Sequence, residues 1–352
     1  MDLFERLKQD CHEQVVFFRD LQAGLRAIVV IHNTTLGPAM GGVKMSGYGR
    51  EDEAIEDALK LSKILTYKAA CAGLNFGGGH TVVIGDPKTD KSEALFRSLG
   101  RFIDGLGGRY IAAEGVGTTV EDMDYIRMET AHVAGIPSSK GGSGDPSPLC
   151  VFGVLRGLEA CQVFLTGSDS LEGVKIAIQG AGRVGSRLAA ALTAKGAAVT
   201  IADVDAEAIG RVTSKHPVKV VETEEIYDVD CDIFSPCALG GVINDDTIGR
   251  LKCKVVAGSA NNQLAEERNG DELDRRGILY APDYIINSGG LINVAEEIHG
   301  YDSERARRKT AGIRDVLLTI LQAARDNRIP TYKAADRFAE DRIERIARIR
   351  RS

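Results

Sequence analysis

A histidine follows three consecutive glycines in residues 74–87, LNFGGGHTVVIGDP. Glycines in such a run let the backbone approach a ligand closely, because no side chain intervenes. The histidine, His80, is one of only six in the chain. Its imidazole ordinarily titrates near pH 6.5, so a neutral base would be available at neutral pH. The residue type and its position therefore predict either a general base or a passive side chain that fills a gap.

A second glycine pattern is typical of dinucleotide binding. Gly180, Gly182 and Gly185 have the spacing GxGxxG between a predicted strand and a predicted helix, and the next strand ends in Asp203, roughly 20 residues on. Such glycines allow a tight turn and bring a pyrophosphate to the helix N-terminus. Asp203 would accept hydrogen bonds from a ribose and repel a 2′-phosphate, which favours NAD over NADP, although Arg183 softens that preference. The alternative is a Rossmann-like turn that binds nothing.

Composition bounds the class of protein. The chain has 352 residues, 43% of them hydrophobic and 27% charged, which suits a globular protein of two domains. A net charge of −6 without a basic tract predicts neither nucleic acid nor an anionic membrane as a partner. Seven widely spaced cysteines without a CxxC pair predict reduced thiols in a cytoplasmic protein, and no metal site is predicted. The polar first residues predict no signal peptide, and without an uninterrupted apolar stretch of about 18 residues no membrane span is expected.

Strand-like and helical segments alternate on both sides of a linker rich in Pro, Gly and Ser, PSSKGGSGDPSP (137–148). This alternation is typical of an α/β fold with a doubly wound parallel sheet. The sequence predicts two domains: an N-terminal α/β domain over 1–145, and a Rossmann-type NAD-binding domain over 146–325. The last helix, about 326–352, is predicted to pack back on the first domain.

Several long, irregular segments resemble the leucine/phenylalanine/valine dehydrogenases, relatives of glutamate dehydrogenase, and among these most of all the leucine and tryptophan enzymes. The similarity covers nearly the whole chain and includes LTYKAACAGLNFGGGH (65–80), EGVGTTVEDMD (114–124) and APDYIINSGGLINVAEE (281–297). The resemblance implies NAD-dependent oxidative deamination of an L-amino acid to a 2-oxo acid and ammonia, or the reverse. It also implies that residues 1–145 form the substrate and oligomerisation domain of a homo-oligomer. In the family, the substrate site faces the cofactor across a cleft that closes during turnover.

The resemblance implies roles for individual residues. Lys68 matches the lysine that binds the substrate carboxylate. Without the resemblance, the residue is more typical of a solvated lysine at a helix end. The other substrate positions are Gly41, Gly42, Leu65, Gly115, Asn262, Leu291 and Val294. The cofactor positions are Gly180, Gly182, Arg183, Val184, Gly185, Asp203, Cys237, Ala238, Asn261, Asn287 and Cys150. Without the resemblance, the Asn261–Asn262 pair is a helix cap, and the apolar Leu291 and Val294 are core.

Two departures from the family concern the acid/base pair. The family has its general acid/base lysine where this chain has His80, and a neighbouring aspartate where this chain has Gly115. Removing one buried partner would leave an uncompensated charge, at a cost of a few kcal/mol, whereas removing both leaves a neutral site. Two smaller departures are Leu65, where methionine is usual, and Cys150, where threonine is usual.

Three functions are compatible with this pattern. The first is an NAD-dependent L-amino-acid dehydrogenase in which His80 is the base. The second is an imine or ketone reductase, because hydride transfer needs only an aligned cofactor and substrate, while imine hydrolysis also needs a base and water. The third is a catalytically impaired homologue that binds NAD and a small carboxylate. The intact carboxylate and cofactor positions favour the first two over the third.

Overall fold

The computed structural model describes residues 2–350, so the last two residues of the predicted C-terminal helix lie outside it. The chain forms two compact units. The first comprises residues up to 146, 291–305 and those from 339 on, and the second comprises 147–290 and 306–338. This division differs from the predicted boundaries at two segments. Residues 291–305 belong to the first unit, where Glu297 bonds to its backbone, and 326–338 belong to the second, where Tyr332 joins the core.

A five-stranded mixed sheet organises the first unit, with order β1-β2-β4-β3-β5. Strands β1, β2 and β4 are antiparallel neighbours, while β3 runs parallel to β4 and β5. The elements in chain order are α1 (Leu3–Gln9), β1 (Gln14–Asp20), β2 (Leu25–Asn33), β3 (Ala39–Ser46), α2 (Glu51–Cys71), β4 (Gly77–Ile84), α3 (Glu93–Asp104), β5 (Tyr110–Glu114) and α4 (Val120–Arg127).

The two faces of this sheet bury different helices because successive strand residues point to opposite sides. Val29 and Ile31 of β2 pack in one core with residues of α3 and α4. Ile28 and Val30 pack in another core with Ala54, Ala58 and other residues of α2. Helix α2 therefore covers the face on which alternate residues of β4 also lie.

The second unit contains a six-stranded sheet that is parallel throughout, with order β11-β10-β9-β6-β7-β8. This is the strand order of a Rossmann fold, in which ligands bind where the order reverses, here beside β6 and β9. Its elements are α5 (Ser147–Thr166), β6 (Lys175–Gln179), α6 (Arg183–Ala194), β7 (Ala198–Ala202), α7 (Ala206–Thr213), β8 (Lys219–Val220), β9 (Ile233–Pro236), β10 (Val255–Val256), α8 (Glu267–Arg275), β11 (Leu279–Tyr280) and α9 (Asp283–Ile286). The predicted α/β fold is confirmed.

Four further helices end the chain: α10 (Gly289–Ala295), α11 (Ser303–Ala311), α12 (Ile313–Asn327) and α13 (Thr331–Arg350). Short 3-10 turns lie at Ser138–Lys140, Glu225–Asp228 and Glu296–His299. Helix α5 is the one helix among the described residues that is long and apolar enough to cross a membrane by length and composition alone. Its apolar window is 56% buried inside the protein, which is the behaviour of a core helix.

Candidate active site

His80 lies in β4, directly beside Val30 of β2. It lies two residues from Val82, which packs in the core shared with α2, so the His80 side chain points to the same face. Its exposed fraction is 5%. The His80 Cε1 atom lies 3.5 Å from the position that a Cβ atom would take on Gly42. Glycine at position 42 therefore lets the imidazole lie against the backbone of β3.

The imidazole of His80 is neutral at physiological pH. Burial lowers the pKa of His80 to about 4, a shift that the Asp57 carboxylate opposes and the Lys44 ammonium reinforces. Both ring nitrogens are buried, and neither has a hydrogen-bond partner within the described chain. A neutral imidazole offers one N–H donor and one acceptor nitrogen, and buried polar atoms are nearly always paired. The two open positions are therefore suited to a small polar ligand.

The two charged groups that shift the pKa of His80, Lys44 and Asp57, belong to a compact cluster on the face of the sheet that α2 covers. Lys44 Nζ and the Tyr48 hydroxyl each lie 2.5 Å from Asp57 Oδ2 and donate to it. Burial and the Asp57 carboxylate raise the pKa of Tyr48. Sequence reasoning missed this cluster, because its members are ordinary polar residues spread over β3, a turn and α2.

Glycines bring β3 and β4 close to helix α2. A Cβ on Gly41 would lie 1.6 Å from the Gly79 carbonyl oxygen and 3.0 Å from Leu65 Cδ1. Lys68 follows Leu65 by three residues in the last turn of α2 and is only 7% exposed. The interpretation of Lys68 as a solvated lysine at a helix end is therefore wrong. A buried ammonium on this helix is suited to an anionic ligand.

Gly115 follows β5, and its Cα lies 3.3 Å from the Cβ position of Gly42. The structure thus brings His80, Gly42 and Gly115 together. A Cβ on Gly115, however, would lie 2.6 Å from the carbonyl oxygen of Val43. Thr118 holds this arrangement, since it accepts the Gly115 amide at 2.9 Å and donates to Val43 O at 2.8 Å. The backbone therefore leaves no room for a side chain at position 115.

Val294, a predicted pocket residue in α10, is buried, and Leu291 in the same helix is half-buried. Val294 Cγ2 lies 4.0 Å from the Cβ position of Gly135, which in turn lies 3.6 Å from the amide nitrogen of Glu114. Gly135 therefore lies between Val294 and the end of β5. Sequence reasoning missed Gly135; the structure gives it a φ of 77°, a conformation that favours glycine.

The glycine fingerprint of the second unit has the geometry of a phosphate cradle. Gly180 has a φ of 107°, and its Cβ would lie 2.9 Å from the Ala238 amide nitrogen. A Cβ on Gly185 would lie 2.0 Å from the Gly180 carbonyl oxygen. Gly182 caps the N-terminus of α6 and has no atom within 4 Å of its Cβ position. The loop therefore packs tightly against protein backbone at Gly180 and Gly185 and is open at Gly182, as a bound pyrophosphate requires.

The side chains around this cradle occupy defined positions. Asp203 accepts the Ala181 amide at 2.5 Å and the Asp205 amide at 2.8 Å, one on each carboxylate oxygen. Each oxygen keeps a lone pair for a ribose hydroxyl. Arg183 is exposed and Val184 half-buried in the first turn of α6. Cys237 Cβ lies 3.4 Å from the Cβ position of Gly185.

An asparagine group lies elsewhere in the second unit. Asn287 Nδ2 donates to Asn261 Oδ1 at 2.9 Å, and its own Oδ1 is buried without a partner within the described chain, as is Oδ1 of Asn262. Asn262 has a φ of 53°. The Cys150 thiol lies 3.9 Å from the Asn287 carbonyl oxygen. Asn261 and Asn262 do not cap a helix, since α8 starts at Glu267, whereas Asn287 is the C-cap residue of α9. The open amide oxygens of Asn262 and Asn287 are suited to a polar ligand.

The described residues contain no group of three or more His, Cys, Asp and Glu that could hold a metal ion. All seven cysteines lie in the described part of the chain and are free thiols. Burial raises the pKa of Cys161, Cys231 and Cys253, to about 12, 12 and 11. These three thiols are unreactive core groups.

Comparisons with known proteins show which family the chain belongs to. Residues 12–132 match the family model of the Glu/Leu/Phe/Val dehydrogenase dimerisation domain, and residues 202–348 match that of Glutamate/Leucine/Phenylalanine/Valine dehydrogenase. Leucine dehydrogenase from Thermoactinomyces intermedius is 54% identical over 99% of this chain and 96% of its own length. Phenylalanine dehydrogenase from the same organism is 48% identical over 99% and 96%. The crystal structure of L-tryptophan dehydrogenase from Nostoc punctiforme superposes with a TM-score of 0.82 at 42% identity, covering 98% of this chain and 99% of that one. With two family models and relatives of this similarity along its whole length, the chain belongs to the Glu/Leu/Phe/Val dehydrogenase family.

Proposed function

We propose that this protein is an NAD-dependent oxidoreductase acting on the CH–NH2 group of an L-amino acid, with a neutral histidine in place of the family's acid/base lysine. The observation that carries the proposal is the buried environment of His80. This residue is 5% exposed, lies against Gly42, and has two buried ring nitrogens without a partner in the described chain. Membership of the dehydrogenase family supports the reaction class, and the named relatives act on leucine and phenylalanine.

The second unit supports NAD as the cofactor. Gly180, Gly182 and Gly185 would hold the pyrophosphate at the start of α6, and Asp203 would hold the adenosine ribose. The buried amide oxygens of Asn262 and Asn287 give polar contacts suited to the nicotinamide half. When bound, NAD supplies the acceptor for the hydride that leaves the α-carbon.

The residues of the first unit bind and orient the substrate. Lys68 pairs with the α-carboxylate. Gly41 and Gly42 form part of the wall of the site, because their missing side chains let Gly79 and His80 lie close to β3. His80 accepts a hydrogen bond from the neutral amine through one ring nitrogen and donates its N–H to a water molecule through the other. Because its pKa is about 4, His80 does not deprotonate an ammonium group. The substrate must therefore bind as the free amine, which is favoured at alkaline pH.

One observation favours a second candidate, an imine or ketone reductase. Hydrolysis of an imine requires a base that activates water, and a buried imidazole with a pKa of about 4 is a weak one. The Val43 carbonyl excludes the carboxylate that would assist it at position 115. Hydride transfer from NADH to a bound imine or ketone requires no base that activates water. Activity in the direction of reduction would therefore be better preserved than oxidative deamination.

We further propose that the protein acts as a homo-oligomer in the cytoplasm. The match to a dimerisation domain over residues 12–132 supports self-association. The buried, free thiols support a reducing compartment. The substrate partner in this proposal is a small amino acid or 2-oxo acid, with neither nucleic acid nor membrane involved.

The direct test is NADH formation by the purified protein with a panel of aliphatic and aromatic L-amino acids, from about pH 6 to about pH 10. The reverse assay follows NADH oxidation with the matching 2-oxo acids, with and without ammonia. Turnover of amino acids that increases with alkalinity supports the dehydrogenase. Reduction of oxo acids without any dependence on ammonia would support the reductase instead. NADH binding without turnover in either direction would reject both.

A further inference from the structure

The Glu297 carboxylate binds the backbone of a loop at residues 135–144. Its Oε1 accepts the amides of Gly135 at 2.9 Å and Ser143 at 2.6 Å. Its Oε2 accepts the amide of Ile136 at 3.5 Å. Two of these donors are separated by most of the loop, yet they meet on one oxygen. Glu297 therefore closes the neck of the loop.

These contacts are stronger than ordinary loop hydrogen bonds. An ionised carboxylate that accepts backbone amides forms charge-assisted bonds, roughly twice as strong as neutral ones. Glu297 lies in the 3-10 turn that directly follows α10. Its neighbour Glu296 forms a separate ion pair with Arg305, so the two carboxylates have different partners. Glu297 thus joins the end of α10 to the loop.

The loop in turn supports the site described above. The Cβ position of Gly135 lies 4.0 Å from Val294 Cγ2 and 3.6 Å from the Glu114 amide nitrogen. Glu114 precedes Gly115, whose Cα lies 3.3 Å from the Cβ position of Gly42. Gly135 is therefore wedged between α10 and the end of β5, within a continuous series of contacts that leads to His80. Glu297 holds Gly135 in this position by accepting a hydrogen bond from its backbone amide.

We propose that Glu297 is a positioning residue that sets the width of the substrate side-chain pocket by holding Gly135 against Val294. The inference rests on the proposed function, because it assigns this pocket to the amino-acid substrate. Removal of the carboxylate frees the loop, lets Gly135 move away from Val294 and widens the pocket. Selection between short and long aliphatic side chains then weakens, while the groups that bind the reacting carbon stay in place.

The test uses the full-length protein and three variants: Glu297→Ala, Glu297→Gln and the control Glu304→Ala, which removes an exposed glutamate of the same unit. Hydrogen exchange of the amides of residues 135, 136 and 143 reports on the loop. The ratio of kcat/KM for L-leucine to that for L-alanine, with NAD, reports on the pocket. Glutamine keeps an amide oxygen at the place of Oε1, where both short hydrogen bonds end, but not the charge that strengthens them. This variant should therefore change both readouts less than alanine does.

The expected result is exchange about tenfold to a hundredfold faster in Glu297→Ala. The leucine-to-alanine ratio should change about tenfold, mainly through KM, with an unchanged pH profile. Glu304→Ala should resemble the wild type, and Glu297→Gln should lie between the wild type and Glu297→Ala in both readouts. Unchanged exchange in Glu297→Ala, or faster exchange without a change in the ratio, overturns the inference.

Two further outcomes are decisive. If Glu297→Ala does not fold, Glu297→Gln decides. Faster exchange together with a changed ratio supports the inference, and a change in only one readout, or in neither, overturns it. If the wild type turns over no amino acid of the panel, the proposed function fails by itself. In that event, calorimetry replaces the kinetic ratio. It measures the relative affinities of the NADH-loaded protein for the two corresponding 2-oxo acids, and these decide the role of Glu297.

Discussion

A Cβ atom on Gly115 would lie 2.6 Å from the carbonyl oxygen of Val43 and 2.9 Å from its carbonyl carbon. Both contacts are to backbone, so no side-chain rotation relieves them. Thr118 fixes the two segments by bonding to Gly115 N and Val43 O. Position 115, where the family resemblance implies a carboxylate, is therefore closed to side chains in this protein.

The substitution Gly115→Asp should therefore lower the free energy of unfolding by about 2 kcal/mol, because the backbone must shift to accept the new Cβ. Urea unfolding measures the change. Gly47→Asp is the matched control, since no atom lies within 4 Å of the Cβ position of Gly47. Equal stability of the two variants would show that the loop at 115 adapts without strain.

Buried neutral histidines should make the protein sensitive to acid. Burial lowers the pKa of His80 and of His32 to about 4, so both folded-state values lie below that of the unfolded chain, about 6.5. Their stabilising contribution is therefore present above about pH 6.5 and is lost as the pH falls towards 4, at about 1.4 kcal/mol per pH unit for each group.

The substitution His80→Leu isolates one of these contributions. Leucine has a similar volume, and His80 has no hydrogen bond to lose within the described chain. We expect a variant as stable as the wild type at pH 7.5 and more stable at pH 5, measured by urea unfolding at each pH. His299→Leu, at an exposed position, is the control. A constant stability difference across this pH range would contradict the assigned protonation state of His80.

The sequence was sufficient for the cofactor fold and for the grouping of His80 with Gly42 and Gly115. Alternating strands and helices, and a glycine fingerprint followed by an acid, depend on local spacing and therefore appear in the sequence. The role of Glu297 does not, because it depends on contacts with residues more than 150 positions away. The lack of space for a side chain at position 115 could not be predicted either. It depends on how closely the backbone at Gly115 approaches that at Val43, and the residue types do not reveal this distance.

The glycine fingerprint gives a paired prediction. Gly185→Ala should reduce both stability and NADH binding, because its Cβ would lie 2.0 Å from the Gly180 carbonyl oxygen. Gly182→Ala should leave the stability of the cofactor-free protein within about 0.5 kcal/mol, because its Cβ position is open, but weaken NADH binding by obstructing the approach of the pyrophosphate. Thermal unfolding and NADH fluorescence titration measure the two effects. The prediction fails if both variants lose stability equally.

Helix α13 should stabilise the end of α2 that carries Lys68. Arg342 donates to the carbonyl oxygens of Ala70 at 2.9 Å and Leu74 at 2.7 Å, and to Asn75 Oδ1 at 2.9 Å. Arg342→Ala should lower the free energy of unfolding by about 2 kcal/mol and raise KM for carboxylate substrates. Arg345→Ala, an exposed arginine in the same helix, should do neither. An unaltered KM in Arg342→Ala would separate α13 from the substrate site.

The central claim is that His80 acts as a neutral hydrogen-bonding group, and the pH dependence of kcat/KM for amino-acid oxidation in wild type and His80→Gln tests it most directly. Glutamine also donates and accepts hydrogen bonds but does not titrate. The account predicts that neither profile has an inflection between about pH 6 and pH 8, and that glutamine retains activity within about tenfold of the wild type. A wild-type inflection near pH 6.5 that disappears in His80→Gln, with a loss of about 10²–10⁴-fold in rate, would instead identify His80 as a general base.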